Sequence, residues 1–455
     1  MAGEVIKIKK CFDIRIEGKA DNFLKSSVDL ITHCAVRPTD FKYFVPKLLV
    51  KKGDVVKAGT ALFFDKNDKR IVITSPVSGI VSAIIHGEKR QIEQIEIVVD
   101  KVQSYERFFE EMPAIAGMTA TDIRDVLLKS GLWAFIRQRP FNTIANPDKK
   151  PKMLVISAFD TAPLAPDYDV LLRGKVKEFQ LGIDVLKKLF DVPIYLCLHQ
   201  TMTVSNVFLY AKNVEKITFS GGHPAGNVGV QIAHINPINK GDVVWHINPQ
   251  DVATIGILFS KNIYDSSKII AFAGSELKNA GYHKVYAAAC ITKLVEKNLI
   301  ANADPRFISG NILTGKQIAK NGYLGFYDHL VSVIPEGNKY EFFGWLLPGF
   351  GKFSFWRSFF SWLNVGKKYN LNTNYHGSRR AFIFTDQFSK VLPMDIMPVQ
   401  LLKAILAEDI EDTEALGIYE VEPEDFALCE FIDPSKIEIQ QIIQQGLDLV
   451  RKESR

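Results

Sequence analysis

The chain has 455 residues, which at roughly 100–200 residues per domain implies about three domains. With 47% apolar and 24% charged residues it has the composition of ordinary globular protein, which excludes a disordered or fibrous chain. A net charge of +5, from 56 Lys and Arg against 51 Asp and Glu, is too dilute for a dedicated nucleic-acid binder, and no nucleic-acid partner is expected.

The opening MAGEVIKIKK alternates charged and apolar residues where a secretory segment would carry an apolar run, so a cytoplasmic protein is expected. Residues 1–105 read as short strands and turns. Gly53-Asp54 and Ser78-Gly79 are turn dipeptides between alternating apolar positions, the spacing of a lipoyl/biotinyl-carrier-like β domain. Such a fold carries its cofactor on a lysine at a hairpin tip, here within residues 65–70, but Lys69 lies seven residues before Pro76, off the usual spacing. A plain solvated hairpin is the favoured reading of that tip.

Residues 106–262 alternate continuous apolar strands (153–158, 194–198, 217–220) with a helical pattern over 171–190. Strand, helix, strand predicts a crossover unit in a parallel sheet, a Rossmann-like α/β domain. No GxGxxG follows a strand. Residues 220–229, SGGHPAGNVG, instead form a Gly-rich turn in which Gly221, Gly222, His223 and Gly226 are the candidates for cradling an anion, with a tight strand-to-helix turn as the plainer reading. In 132–141, LWAFIRQRPF, two guanidiniums lie beside aromatic rings. Phe135, Arg137, Arg139 and Phe141, with Arg37, are candidates for stacking on a quinone and donating to its carbonyls, against an anchored turn as the default.

Residues 263–340 carry strands near 269–273, 285–289 and 330–334 and a helix over 291–298, a small β-grasp-like domain. Gly310 to Gln317 falls one residue short of a Walker A loop, with Gln317 where the Mg²⁺-binding hydroxyl belongs, and nucleotide binding is set aside. Residues 341–375 are an aromatic-rich connection. Its stretch 342–363 holds ten aromatics broken by Pro348 and glycines, which rules out a clean membrane span and favours an exposed assembly surface over pure core. Residues 376–455 read as helical, chiefly 398–407 and 437–452. The five cysteines are far apart with no CxxC, so neither a disulfide framework nor a metal or iron–sulfur site is expected. No stretch is long and apolar enough to span a bilayer, and no nucleophile with an adjacent base marks a catalytic residue.

Several short motifs occur together: Arg37-Pro38-Thr39, Arg139-Pro140-Phe141, AFDTAPLAPD at 158–167, HPAG at 223–226, YLGFY at 323–327, SVIPEG at 332–337, EFFGW at 341–345 and LPMDIMP at 392–398. Jointly and in this order they resemble the A subunits of the sodium-translocating NADH:quinone oxidoreductase over essentially the whole chain. The resemblance implies an α/β multidomain protein similar to the flavin subunit of respiratory complex I, with a β-grasp domain of the SLBB-like kind. It implies a peripheral subunit on the cytoplasmic face of the bacterial inner membrane, joined to five other subunits and meeting the membrane only through them. That complex passes electrons from NADH to quinone and exports Na⁺. The subunit would contact quinone and bind no cofactor itself, the NADH site, flavins and iron–sulfur centres lying on partners. It would not be catalytic alone. Asp433 stands where many relatives carry a second cysteine near Cys429, so a thiol pair is not expected here. Two other readings remain: a carrier protein modified at Lys66 or Lys69, and a free-standing flavin-dependent NADH dehydrogenase.

Overall fold

Met153, Leu154, Val155 and Ile156 are all buried, but Leu154 and Ile156 enter one core while Met153 and Val155 enter another. A continuous apolar run with period-two facing is what a strand covered on both faces requires. The computed structural model, which describes residues 5–112, 114–301, 304–338, 341–344, 346–364 and 366–453, places this strand, Leu154–Ser157, at the centre of a seven-stranded sheet. Across the sheet the order is Val5–Lys7, Glu215–Ser220, Ile194–His199, Leu154–Ser157, Val244–Ile247, Arg137–Arg139 and Thr143–Ile144; the first five are parallel and the last two form an antiparallel edge hairpin.

Helices Val176–Leu189 and Pro249–Lys261 cover one face, burying Phe179, Ile183, Leu186, Val252, Ile255 and Leu258. Helices Val228–Ile235, Pro398–Leu406 and Ile439–Glu453 supply apolar side chains to the other core. The helical pattern over 171–190 is broken in two: a short helix Tyr168–Leu171 ends before Gly174, whose φ of +78° suits glycine, and the long helix starts at Val176.

A six-stranded mixed sheet, in the order Lys316–Ile318, Pro305–Ser309, Leu330–Pro335, Ser267–Ala273, Gly281–Tyr286 and Asp21–Ser26, lies where the β-grasp, SLBB-like domain is expected and is called the SLBB-like sheet. The strand expected at 285–289 ends at Tyr286, because Ala288 turns through positive φ. The near-Walker loop is the turn between Pro305–Ser309 and Lys316–Ile318, where the Asn311 side chain accepts from the amides of Leu313 and Thr314.

Sheets of four and three strands (His33–Val36, Ile92–Val99, Gly79–His86, Val55–Val56; Pro46–Leu48, Ala61–Asp65, Val72–Thr74) share a core as a barrel-like sandwich, the barrel-sandwich domain. Residues 5–26 also pair outside these two sheets. Val5–Lys7 is an edge of the α/β sheet and Asp21–Ser26 an edge of the SLBB-like sheet, so the chain visits both before entering the barrel. The hairpin tip at 65–70 is tied across the domain boundary, since Arg70 pairs with both Asp68 and Asp148. Asp433 accepts from the amides of Ser435 and Ile437, turning the chain from Ala427–Ile432 toward the last helix. Cys429 is buried with its thiol on the Phe388 carbonyl.

Candidate functional site

The 3-10 turn Leu132–Phe135 leads through Ile136 into Arg137–Arg139, the inner strand of the edge hairpin, and although residues two apart on a strand share a face, Arg137 and Arg139 meet different partners. On one side the Phe135 ring stacks on Phe326 with centroids 5.2 Å apart and planes 19° from parallel. The Arg137 guanidinium lies 4.7 Å over the Tyr327 ring, and the Tyr327 hydroxyl donates to the Ala134 carbonyl at 2.7 Å. Arg37 reaches the same place from the barrel-sandwich domain: its Nη2 donates to Asp40 Oδ2 at 3.3 Å, and that oxygen also accepts the Phe326 amide at 3.0 Å. Three of the predicted residues thus converge on the Phe326-Tyr327 dipeptide.

Arg139 and Phe141 lie elsewhere. Arg139 is 1% exposed, its Nη1 donates to Asp425 at 3.0 Å and its Nη2 to Glu424, so the guanidinium is a clamp on the C-terminal region and does not present itself to a small ligand. Phe141, at a φ of +77°, meets Tyr419 edge-on at 6.3 Å. The turn is divided between two cores, so of the donors Arg137 or Arg139 and the rings Phe135 or Phe141 only Arg137 and Phe135 lie at the Phe326-Tyr327 dipeptide.

The Gly-rich turn is occupied by protein groups. Gly221 has a φ of +130° and a side chain there would strike the Ile8 carbonyl. Gly222 stands against the Asp13 carboxylate, which accepts the His223 amide at 2.8 Å, and Gly226 against Thr161, whose hydroxyl accepts the Gly226 amide at 2.9 Å. Burial pushes the His223 imidazole down to about 4, so it is neutral at physiological pH. Two of the amides that an anion would need are thereby spent on Asp13 and Thr161. The turn joins strand Glu215–Ser220 to helix Val228–Ile235 with the Asp13 carboxylate set against it.

Comparison with known proteins bears on all of these residues. Residues 6–100 match the NqrA N-terminal barrel-sandwich hybrid domain, 118–263 the NqrA second alpha/beta domain and 269–320 the NQRA C-terminal domain. The A subunit of the Na(+)-translocating NADH-quinone reductase of Haemophilus influenzae strain PittGG is 35% identical over 99% of this chain and 100% of its own length. The chain belongs to this family of A subunits. The corresponding protein of Neisseria meningitidis serogroup B is 34% identical, again over 99% of this chain and 100% of that one. Among solved structures, an NAD⁺-reducing [NiFe]-hydrogenase in the air-oxidised state aligns with 77% of this chain and 68% of its own at 12% identity and a TM-score of 0.36, too low a likeness to carry weight.

In this family member the Phe326-Tyr327 cluster is bordered by groups that composition and spacing did not single out. Lys268 is 7% exposed and its Nζ donates to the Phe326 carbonyl at 2.9 Å; burial lowers its affinity for a proton. Asp251, in the first turn of Pro249–Lys261, is pushed up to about 7 by burial, offset in part by the charges of Lys268 and Arg137. Gln250 exchanges hydrogen bonds with the Ile269 backbone and meets His329 at 3.1 Å, fastening that helix to the SLBB-like sheet. Asp251 and Lys268 are 17 residues apart, on helix Pro249–Lys261 and strand Ser267–Ala273, and only the packing of those elements brings a buried acid within reach of a buried base's charge. The signal available beforehand was the YLGFY motif, whose last two residues are the hub. Two surface clefts, of about 420 Å³ beside Lys240, Glu414 and Tyr419 and about 280 Å³ beside Arg124 and Lys150, border neither Phe135 nor Arg137.

Proposed function

We propose that this chain is the peripheral A subunit of a respiratory Na⁺-translocating NADH:quinone reductase, carrying no redox centre and supporting electron transfer from NADH to quinone coupled to Na⁺ export. NADH, flavins and iron–sulfur centres are assigned to the five partner subunits, and the position to the cytoplasmic face of the inner membrane. We read residues 106–262 as a Rossmann-like domain and 376–455 as a helical domain. The observation that carries this reading is end-to-end identity of 35% with a relative of that name, through three family domains in one order.

The quinone contact is placed at Phe135 and Arg137, with Arg37 and Tyr327 beside them. A quinone offers two carbonyl acceptors on a flat apolar ring, so it needs donors that stay protonated and a surface to lie against. A guanidinium donates at any physiological pH, and the Tyr327 ring under Arg137, beside the stacked Phe135–Phe326 pair, gives aromatic surroundings for the quinone ring to lie against. Asp251, with its carboxyl near 7, can exchange a proton in the neutral range beside them.

Affinity purification of the tagged chain from its native membranes tests the assignment. Five co-purifying subunits and NADH-driven, Na⁺-stimulated quinone reduction are expected. A chain that purifies alone and oxidises NADH with its own flavin, or that carries a lipoyl or biotinyl mass increment on Lys66 or Lys69, would replace it with one of the two alternatives.

A further inference from the structure

The stretch 341–368 is built with two opposite faces. Phe353 packs on Phe12, Tyr369 and Phe431, with ring centroids 5.3 to 5.7 Å apart, and Phe355 meets Phe12 edge-on at 4.7 Å. These rings staple the stretch to the body of the protein. Between and around them Phe342, Leu346, Phe350, Phe360, Trp362 and Leu363 are between 46% and 89% exposed; Trp345 lies outside the described residues. They are joined locally: Phe350 and Phe360 are 5.9 Å apart, the Phe360 amide donates to the Pro348 carbonyl, and Lys367 donates to the Phe350 carbonyl at 2.8 Å.

Charge is concentrated in the same part of the chain. Residues 341–390 hold seven Lys and Arg against two Asp and Glu, a net of +5 that equals the charge of the whole protein, so the other 405 residues sum to zero. Four of the seven are lysines. Protein interfaces are depleted in lysine, whereas an anionic bilayer attracts it while Trp, Phe and Leu enter the headgroup boundary. Arg357 lies 5.7 Å over the Trp362 ring, an apolar side chain carrying its own cation.

We infer that the exposed face of 341–368 docks directly on an anionic phospholipid surface, with shallow insertion of Phe350, Phe360, Trp362 and Leu363 and with Arg357 and Lys368 at headgroup level. This departs from the expectation that the protein meets the membrane only through its partners. It does not depend on the quinone contact.

Co-sedimentation of the full chain with vesicles decides the matter. Binding to phosphatidylglycerol-rich vesicles is expected, weak on phosphatidylcholine alone and lost in high salt. The variant R357Q/K368Q should lower the partition about 5-fold per charge removed, and F350S/W362S should lower it at least as far. Both positions of the charge variant are exposed, so it carries the test even where the aromatic variant fails to fold. No sedimentation with the anionic vesicles, equal binding by wild type and charge variant, or capture only by the detergent-solubilised partner subunits would overturn the lipid assignment.

Discussion

Arg137 and Arg139 are two residues apart on one strand and do different work. Arg139 is surrounded by Asp425, Glu424 and, through the turn at 422–426, Glu422, which itself accepts from Lys42 of the barrel-sandwich domain at 3.0 Å. Removing one partner of a buried pair leaves the other charge unsolvated, so Arg139→Ala should cost about 3–5 kcal/mol of stability in denaturant unfolding. Arg137→Gln should leave stability nearly unchanged yet weaken a water-soluble quinone analogue roughly 10- to 150-fold in calorimetry, the loss of a charged donor worth about 1.5–3 kcal/mol. The reverse pattern would move the contact to Arg139. Asp251 gives a pH signature. Its folded value near 7 lies above the ordinary 3.8, so the folded state binds the proton more tightly and stability falls as pH rises from about 4 to 7. Asp251→Asn should flatten that slope and, relative to wild type, gain stability on going from pH 5 to pH 8.

At the scale of elements, helix Val228–Ile235 and the 3-10 turn Pro423–Phe426 form a joint between the α/β sheet and the C-terminal region. A Cβ on Gly229 would overlap the Asp425 carboxylate and Arg139 Nη1, and Asn227 donates to the Glu424 carbonyl at 3.1 Å. Gly229→Ala is therefore expected to force the joint apart and cost about 1–3 kcal/mol, read as a lower melting temperature. A second joint closes the chain on itself: the Tyr43 hydroxyl donates to Asp448 on the last helix, Arg451 lies 3.6 Å over the Tyr43 ring, and Gln444 accepts from Lys42 at 2.9 Å. The last helix owes its position to these polar ties as well as to Ile443, Leu447 and Val450 beneath it.

The molecule as a whole is held by cores that ignore domain boundaries. One continuous cluster runs from Ile31 and Phe63 of the barrel through Leu154, Phe179 and Tyr264 of the α/β domain to Phe272 and Val333 of the SLBB-like sheet. Units sharing a core cannot lose it separately, so calorimetry should show one dominant unfolding transition, and three resolved transitions would contradict the shared core. Residues 5–26 strengthen the coupling by contributing edge strands to two sheets before the barrel begins.

Local periodicity made much of this legible in advance. The strands at 154–157, 194–199, 215–220 and 330–335 and the helices Pro398–Leu406 and Ile439–Glu453 follow from apolar spacing, because each buries a regular face. Asp21–Ser26 was not legible: it is nearly all exposed, alternates nothing, and exists because its backbone pairs with Gly281–Tyr286 about 260 residues away. The RPF turn illustrates the same limit at the candidate site. Residue types alone marked Arg37, Phe135, Arg137, Arg139 and Phe141 as chemically apt, and nothing in their spacing could say that Arg139 meets Asp425 of the C-terminal region while Arg137 lies over the Tyr327 ring. Composition and motif order were enough for class and family, since those depend on what the residues are. Which guanidinium is sealed, which carboxyl titrates near neutrality and which aromatics stay outside depend on desolvation by neighbours hundreds of residues distant, and only the tertiary packing decides those.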